Sequence, residues 1–238
     1  MKLTTNWMGG LCLCMSLCVA QAAPAQNDWR SFANLKRYEQ ANEELLTSAV
    51  RGSRVVFMGD SITEMWTKYR PDFFANPVYV NRGISGQTTP QMLVRFRADV
   101  LDLKPEVVVI LAGTNDIAGN TGDATVDKIA GFIMSMSELA AANGIKVILC
   151  SVLPAIDYLW YPGREPAPKI IKLNSMLRAF AEEKGFGYVD YHAAMVDDQG
   201  GLKVPEYTSA GDLVHPNAAG YEVMEALIVP AIDAAVGR

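Results

Sequence analysis

The chain has 238 residues, 50% of them hydrophobic and 20% charged, with a formal net charge of −5 at neutral pH. That length suits one domain with a sizeable core, and the composition is that of an ordinary globular protein. The acidic balance, with no long basic run, excludes nucleic acid as a partner, because phosphate binding needs clustered Lys and Arg.

The first residues read as a leader. Lys2 precedes an apolar run ending at Ala20, and Gln21-Ala22-Ala23 supplies a small-residue cleavage signal. This predicts a secretory signal peptide over residues 1–22, with Ala23 and Ala25 as alternative cleavage sites, and a single domain over 23–238. The run is too short for a membrane span. A secreted or periplasmic protein without stable membrane insertion is therefore expected. A lipoprotein signal using Cys18 is the alternative, with Leu17 where a small residue is expected. Three of the four cysteines lie in this leader. Cys150 sits in the apolar run Val147-Ile148-Leu149-Cys150 and reads as a buried structural thiol.

Beyond the leader, Asp28 to Val50 carries apolar residues at roughly helical spacing, which predicts one or two helices. Arg54 to Met58 is an apolar first strand that runs into Gly59-Asp60-Ser61, and a short helix follows as far as Tyr69. Val78 to Asn81 is a second strand, and Arg82 to Gln87 a glycine-containing loop. Thr88 or Thr89 caps the next helix, with Pro90 at its first position. Glu106 to Leu111 is the third strand, followed by Gly113-Thr114-Asn115-Asp116. A helix over Thr125–Asn143 leads to a fourth strand over Lys146–Val152. Pro154 to Pro168 reads as a long loop with Tyr158, Trp160 and Tyr161. A helix over Lys169–Lys184, a fifth strand over Gly187–Asp190, a loop over His192–Pro216 and a final helix from Asn217 complete the pattern. Apolar strands alternating with helices indicate an α/β fold with a parallel sheet covered on both faces. Ligands bind beyond the carboxyl ends of such strands. Ser61, Gly83, Asn115 and the loop with Tyr158 and Trp160 all fall there.

Ser61 has two readings. Ser61-Ile62-Thr63-Glu64 fits a capping box, in which the serine only caps the helix. A serine at a helix start, beside unpaired N–H groups, is also well placed as a nucleophile. A nucleophile needs a base, and the chain holds two histidines. His215 has Asp212 three residues before it, close enough to hold its tautomer. His192 reads as structural. Ester chemistry also needs donors for a developing oxyanion, and the candidates are the N–H of Ser61, the N–H of Gly83 and the side-chain amide of Asn115. Gly83 as a turn glycine and Asn115 as a turn cap are the alternatives.

Together, Gly59-Asp60-Ser61, Asn81-Arg82-Gly83-Ile84-Ser85-Gly86, Gly113-Thr114-Asn115-Asp116 and Asp212-Leu213-Val214-His215-Pro216 resemble the four blocks of the SGNH/GDSL hydrolase superfamily, in that family's order. The resemblance implies Ser61 as nucleophile, His215 as base, Asp212 as orienting carboxylate, and Gly83 and Asn115 as oxyanion donors. It implies a flavodoxin-like three-layer α/β/α sandwich with five parallel strands in the order 2-1-3-4-5. It also implies a serine esterase with an acyl-enzyme intermediate and no metal or organic cofactor. Within the superfamily the segments look most like the platelet-activating-factor acetylhydrolase-like and carbohydrate O-acetyl esterase branch. The expected substrate is then a small ester or acetylated glycan. Asp60, Arg82, Tyr158 and Trp160 are the candidate substrate contacts, and Arg82 and Arg164 could pair with an acidic substrate or with acidic neighbours. Three alternatives stand beside this one: a secreted glycan-binding protein without turnover, a lysophospholipase- or thioesterase-type acylhydrolase, and a flavodoxin-like nucleotide or flavin binder. The last lacks a phosphate-cradling glycine run.

Overall fold

A computed structural model describes residues 28–48 and 53–237. The expected leader, the Cys18 alternative and Val50 lie outside the described residues. Two short helices, α1 (Trp29–Ala33) and α2 (Glu39–Thr47), precede β1 (Val55–Gly59). Helices α3 (Ser61–Tyr69) and α4 (Pro71–Phe74) lead to β2 (Tyr79–Gly83). Helix α5 (Thr89–Asp99) connects to β3 (Val107–Leu111), and α6 (Thr114–Ala118) and α7 (Val126–Ala142) connect to β4 (Lys146–Cys150). Then follow α8 (Pro166–Lys184), β5 (Gly187–Val189), α9 (Tyr191–Met195) and α10 (Ala218–Val236).

The sheet is parallel throughout, in the order β2-β1-β3-β4-β5. Every residue of β1 and β3 is buried, which is why these strands are apolar along their whole length instead of alternating. Helices α5, α7 and α8 pack side by side on one face, and α3 and α10 on the other, giving three layers. Registers align the strand ends: Gly59 lies opposite both Gly83 and Leu111. The segments leaving β1, β2 and β3 therefore emerge together at one edge of the sheet.

Four elements differ from the sequence-based expectation. Strand β2 runs two residues further, to Gly83. Asn115 and Asp116 lie in the short helix α6, and His192 in α9. Five-residue helices are too short to display an amphipathic period. Helix α8 begins at Pro166, where proline is tolerated in the first turn, so the aromatic loop is shorter than expected.

A charged group ties the layers near this edge. Arg95 on α5 is fully buried. Its guanidinium donates to Gly59 O at 2.9 Å, to Gln87 Oε1 at 2.6 Å and to Asp99 Oδ2 at 2.9 Å. The other Asp99 oxygen accepts from Asn42 Nδ2 at 2.8 Å. Replacing Asp99 with Ala leaves a buried guanidinium without its counter-ion and the Asn42 amide with only Ala98 O, at 3.2 Å, to accept from it. The expected loss is about 3–5 kcal/mol of stability, read as a lower urea midpoint with an unchanged slope.

Candidate active site

The turn from β1 into α3 settles which side chain caps the helix. Asp60 is the N-cap, and its Oδ1 accepts from Ile62 N at 2.9 Å. Ser61 is thus the first helical residue and free of capping. Its Oγ lies 2.8 Å from His215 Nε2. Its backbone N–H, at the helix start, has no partner among the described residues. Glu64, the other half of the expected capping box, turns outward. It accepts from Ser85 N at 2.8 Å and from Arg37 Nη2 at 2.9 Å.

His215 reaches Ser61 from the far end of the sequence because α10 is anchored on α3. Tyr221 OH donates to Ile62 O at 2.7 Å, and Glu225 accepts from Arg70 and from Trp66 Nε1. On the other side of the ring, Nδ1 lies 2.8 and 3.0 Å from the two oxygens of Asp212. Asp212 Oδ1 also accepts the backbone N–H of His215 at 2.9 Å, so one carboxylate holds both ring and main chain. Leu213 between them has a left-handed φ of 68°. Thr208 Oγ1 donates to His215 O at 2.8 Å and closes the loop from behind.

Asn115 is buried on α6. Its Nδ2 donates to Gln87 O at 3.0 Å, which uses one of two amide hydrogens, and its Oδ1 accepts from Asn120 Nδ2 at 3.0 Å. Asp116 beside it caps α5 by accepting from Thr89 N at 3.0 Å and from Thr89 Oγ1 at 2.6 Å.

Gly83 has a different job from the one expected. Its N–H donates to Asn81 Oδ1 at 2.8 Å. A Cβ there would lie 2.2 Å from Glu64 N and 2.7 Å from Asp60 O, so the residue is glycine because β2 passes against the first turn of α3. The exposed N–H of this loop belongs to Gly86, which has a φ of 76° and no partner for its N–H among the described residues. Gly86 O accepts from Asn120 Nδ2 at 3.1 Å. Asn120 therefore joins the Gly86 peptide to the Asn115 amide, and its Oδ1 accepts from Trp160 Nε1 at 3.3 Å. Sequence reasoning missed Gly86 and Asn120. Ending the second strand at Asn81 made Gly83 the first loop glycine, whereas with the strand running to Gly83 the first is Gly86.

Of the candidate substrate contacts, only Trp160 lies open beside the histidine, 46% exposed with its ring centroid 6.4 Å from that of His215. Tyr158 is fully buried, its OH 2.9 Å from Thr114 Oγ1, and serves as the support on which Trp160 rests. The buried carboxylate of Asp60 is taken up by the helix cap. Arg82 is buried too. It donates to Asn42 Oδ1 at 2.9 Å and to Asn81 O, and covers the Tyr38 ring, away from the serine. Arg164 pairs with Asp123 at 2.7 Å and stacks on Tyr161. His192 is not brought to Ser61; its N–H donates to Ser151 Oγ, and burial lowers its pKa. Burial pushes the Cys150 thiol up to about 12, which keeps it unreactive. Among the described residues no cluster of His, Cys, Asp and Glu could hold a metal ion, and no helix is long and apolar enough to cross a membrane.

A parallel α/β sandwich with a serine, a histidine and an aspartate hydrogen-bonded in series at its strand ends has the layout of a hydrolase. The chain belongs to the GDSL-like lipase/acylhydrolase family, whose model matches residues 57–223, and is a hydrolase that acts on esters. It is similar to the solved structure of a GDSL-like lipase from Bacteroides thetaiotaomicron. The two are 50% identical with a TM-score of 0.81, over 86% of this chain and 99% of that one. An uncharacterized lipoprotein of Bacillus subtilis is 31% identical over 58% of this chain, and an acetylxylan esterase of Xylanibacter ruminicola is 29% identical over 64% of it. The matches span 64% of that lipoprotein's length and 35% of that esterase's.

Two outcomes follow from the site's geometry. Gly83→Ala drives a methyl group into the backbone of α3 and is expected to cost about 1–3 kcal/mol or more, measured by thermal unfolding. Burial pushes Asp60 up to about 7 and Asp116 up to about 6, against an ordinary value of about 3.9. Both groups hold their protons more tightly folded than unfolded. Their contribution to stability is therefore full at acid pH and falls as pH rises from about 4 to 7. The thermal midpoint is expected to be higher at pH 5 than at pH 8, and Asp60→Asn to flatten that slope.

Proposed function

We propose that this protein is an exported serine esterase that removes short acyl groups, chiefly acetyl, from carbohydrate. The observation that carries the reading is the continuous chain from Ser61 Oγ through His215 to Asp212, with contacts of 2.8 Å on each side of the ring. His215 Nε2 takes the proton as Ser61 Oγ attacks the ester carbonyl, and Asp212 stabilises the imidazolium. The oxyanion is received by the N–H of Ser61, the N–H of Gly86 and the free hydrogen of Asn115 Nδ2. Gly86 replaces Gly83 in this role because the Gly83 N–H is occupied. The protonated His215 then passes its proton to the departing alcohol. Water, activated by the same histidine, attacks the acyl-enzyme, releases the acid and restores Ser61. No step uses a metal or an organic cofactor.

The acetyl preference rests on the acetylxylan esterase relative, and the carbohydrate preference on that relative together with Trp160. An exposed indole beside the histidine offers a flat apolar face of the kind on which sugar rings stack. Export rests on the leader-like first 22 residues and on the lipoprotein relative.

The test is acetate release from acetylated xylan, acetylated sialic acids and peptidoglycan fragments, beside a nitrophenyl ester series of increasing acyl length. Acetate release is expected from at least one glycan, with nitrophenyl acetate cleaved faster than longer esters. Ser61→Ala should abolish turnover, and Asn115→Ala should cost about 10²–10³ in kcat. Equal rates for the parent and Ser61→Ala would overturn the mechanism. Binding of acetylated glycan without acetate release would favour a lectin-like role instead.

A further inference from the structure

The loop that carries Gly86 is held in place from outside the family's matched region. The family match begins at residue 57, and the arm formed by α1, α2 and the turn between them precedes it. This arm reaches the loop Gly83–Gln87 in two places directly and in a third through Glu64. Tyr38 OH donates to Gly83 O, where β2 ends. Ala33 O, on a fully buried residue, accepts from Gln87 Nε2 at 2.8 Å. Arg37 Nη2 holds Glu64 Oε1 at 2.9 Å, and the other oxygen of Glu64 accepts both Ser85 N and Ser85 Oγ. The arm is itself seated firmly. The guanidinium groups of Arg37 and Arg82 both lie over the Tyr38 ring, and Asn42 links Arg82 to Asp99.

These bonds converge on the two residues that flank Gly86. Ser85 is fixed through Glu64, and Gln87 through its side chain, while its carbonyl accepts from Asn115 Nδ2. Gly86 lacks a side chain and has a left-handed φ, so its peptide takes its orientation from its neighbours and from Asn120. An oxyanion donor must point where charge develops, and a misplacement of about 1 Å can cost about a hundredfold in rate.

We propose that the arm Trp29–Thr47 is a positioning element of the active site, which through Tyr38, Arg37 and Ala33 holds the Gly86 N–H in line for the oxyanion. None of its residues touches the reacting atoms. This inference rests on the esterase reading for its kinetic consequence but not for its structural one. None of the arm's bonds goes to Trp160, so their removal acts chiefly on what forms in the transition state. The kinetic signature of such a loss is a fall in kcat with KM held.

The test compares the full-length parent with Tyr38→Phe, Arg37→Met and the double variant. Each change keeps the side chain's bulk and deletes its polar contact. The double variant is expected to lose about ten- to a hundredfold in kcat on nitrophenyl acetate, with KM within about twofold. Arg37→Lys, which keeps a cation for Glu64, should recover most of the loss seen in Arg37→Met. Gln40→Ala, whose partner Glu44 lies on the arm's own exposed face, should change nothing. NMR relaxation on the folded double variant should show the Gly86 amide more mobile, with α7 amides unchanged. An unaltered Gly86 order parameter overturns the proposal whatever the activity. An unaltered kcat in the double variant overturns it while leaving the esterase reading intact. A parent that hydrolyses no ester, combined with a mobile Gly86 in the variant, sinks the esterase reading and upholds the arm's role.

Discussion

Helix α3 must be capped, and the side chain that caps it is Asp60. Everything at the site depends on this. The first turn of a helix leaves N–H groups unpaired, and a serine at its start is drawn to satisfy them. Because Asp60 accepts from Ile62 N, the Ser61 hydroxyl is released from that task and meets His215 at 2.8 Å. The same residue order leaves the Ser61 N–H at the positive end of the helix, where negative charge is favoured. One residue at the helix start thus presents both a hydroxyl and a donor, and a single extra residue between Asp60 and Ser61 would move both off the first helical position.

The second constraint is the close passage of β2 over α3. Strand β2 pairs with β1 so that Gly83 lies opposite Gly59, and Gly83 has no room for a side chain against Glu64 and Asp60. That contact places the loop after β2 directly above the helix start. Arg95 then ties three parts of the edge together, since it binds the last carbonyl of β1, the Gln87 side chain in the loop and Asp99 on its own helix. A buried guanidinium is costly to desolvate, and it is tolerated here because its three nitrogens all have acceptors. The polar framework beneath the site is therefore continuous from the sheet to the loop, which is how a shallow edge can hold donors in fixed directions.

Much of this was legible in the residues. Strands such as Val107–Leu111 are apolar at every position, and their alternation with helices specifies a parallel sheet without further information. The blocks around Ser61, Asn115 and His215 each follow a strand or precede a helix, so their convergence could be argued before any coordinates. The failures have physical causes. Asn81 and Arg82 are polar, which hides the end of β2. Yet Arg82 is buried, held by Asn42 and the Tyr38 ring, partners some forty residues earlier in the chain. Tyr158 reads as a candidate substrate contact in a proline-rich loop, whereas it is buried with its hydroxyl on Thr114, in a separate segment of the chain. Asn120 carries no motif at all. Its place is defined by three groups from three separate segments, Gly86, Asn115 and Trp160, and no local pattern encodes such a meeting.

Three aspartates lie near Ser61, and their environments divide the roles among them. Asp60 is adjacent in sequence but buried, with its carboxylate turned to a backbone N–H and its affinity for protons raised by desolvation. Asp116 is likewise buried and spent on Thr89. Asp212 comes from 151 positions further along the chain than Ser61 but is the only one of the three that sets both oxygens on His215 Nδ1. In the proposed mechanism, the carboxylate that stabilises the imidazolium has to remain ionised while the ring gains its charge. The two buried acids are poorly suited to that, because burial favours their neutral forms. The partly exposed Asp212 keeps contact with solvent and donor groups alike, and the left-handed turn at Leu213 lets it fold back onto the histidine it precedes. Proximity in sequence to the serine is thus the wrong guide to the third member of the array; the exposure of the carboxylate and the direction of its oxygens decide it.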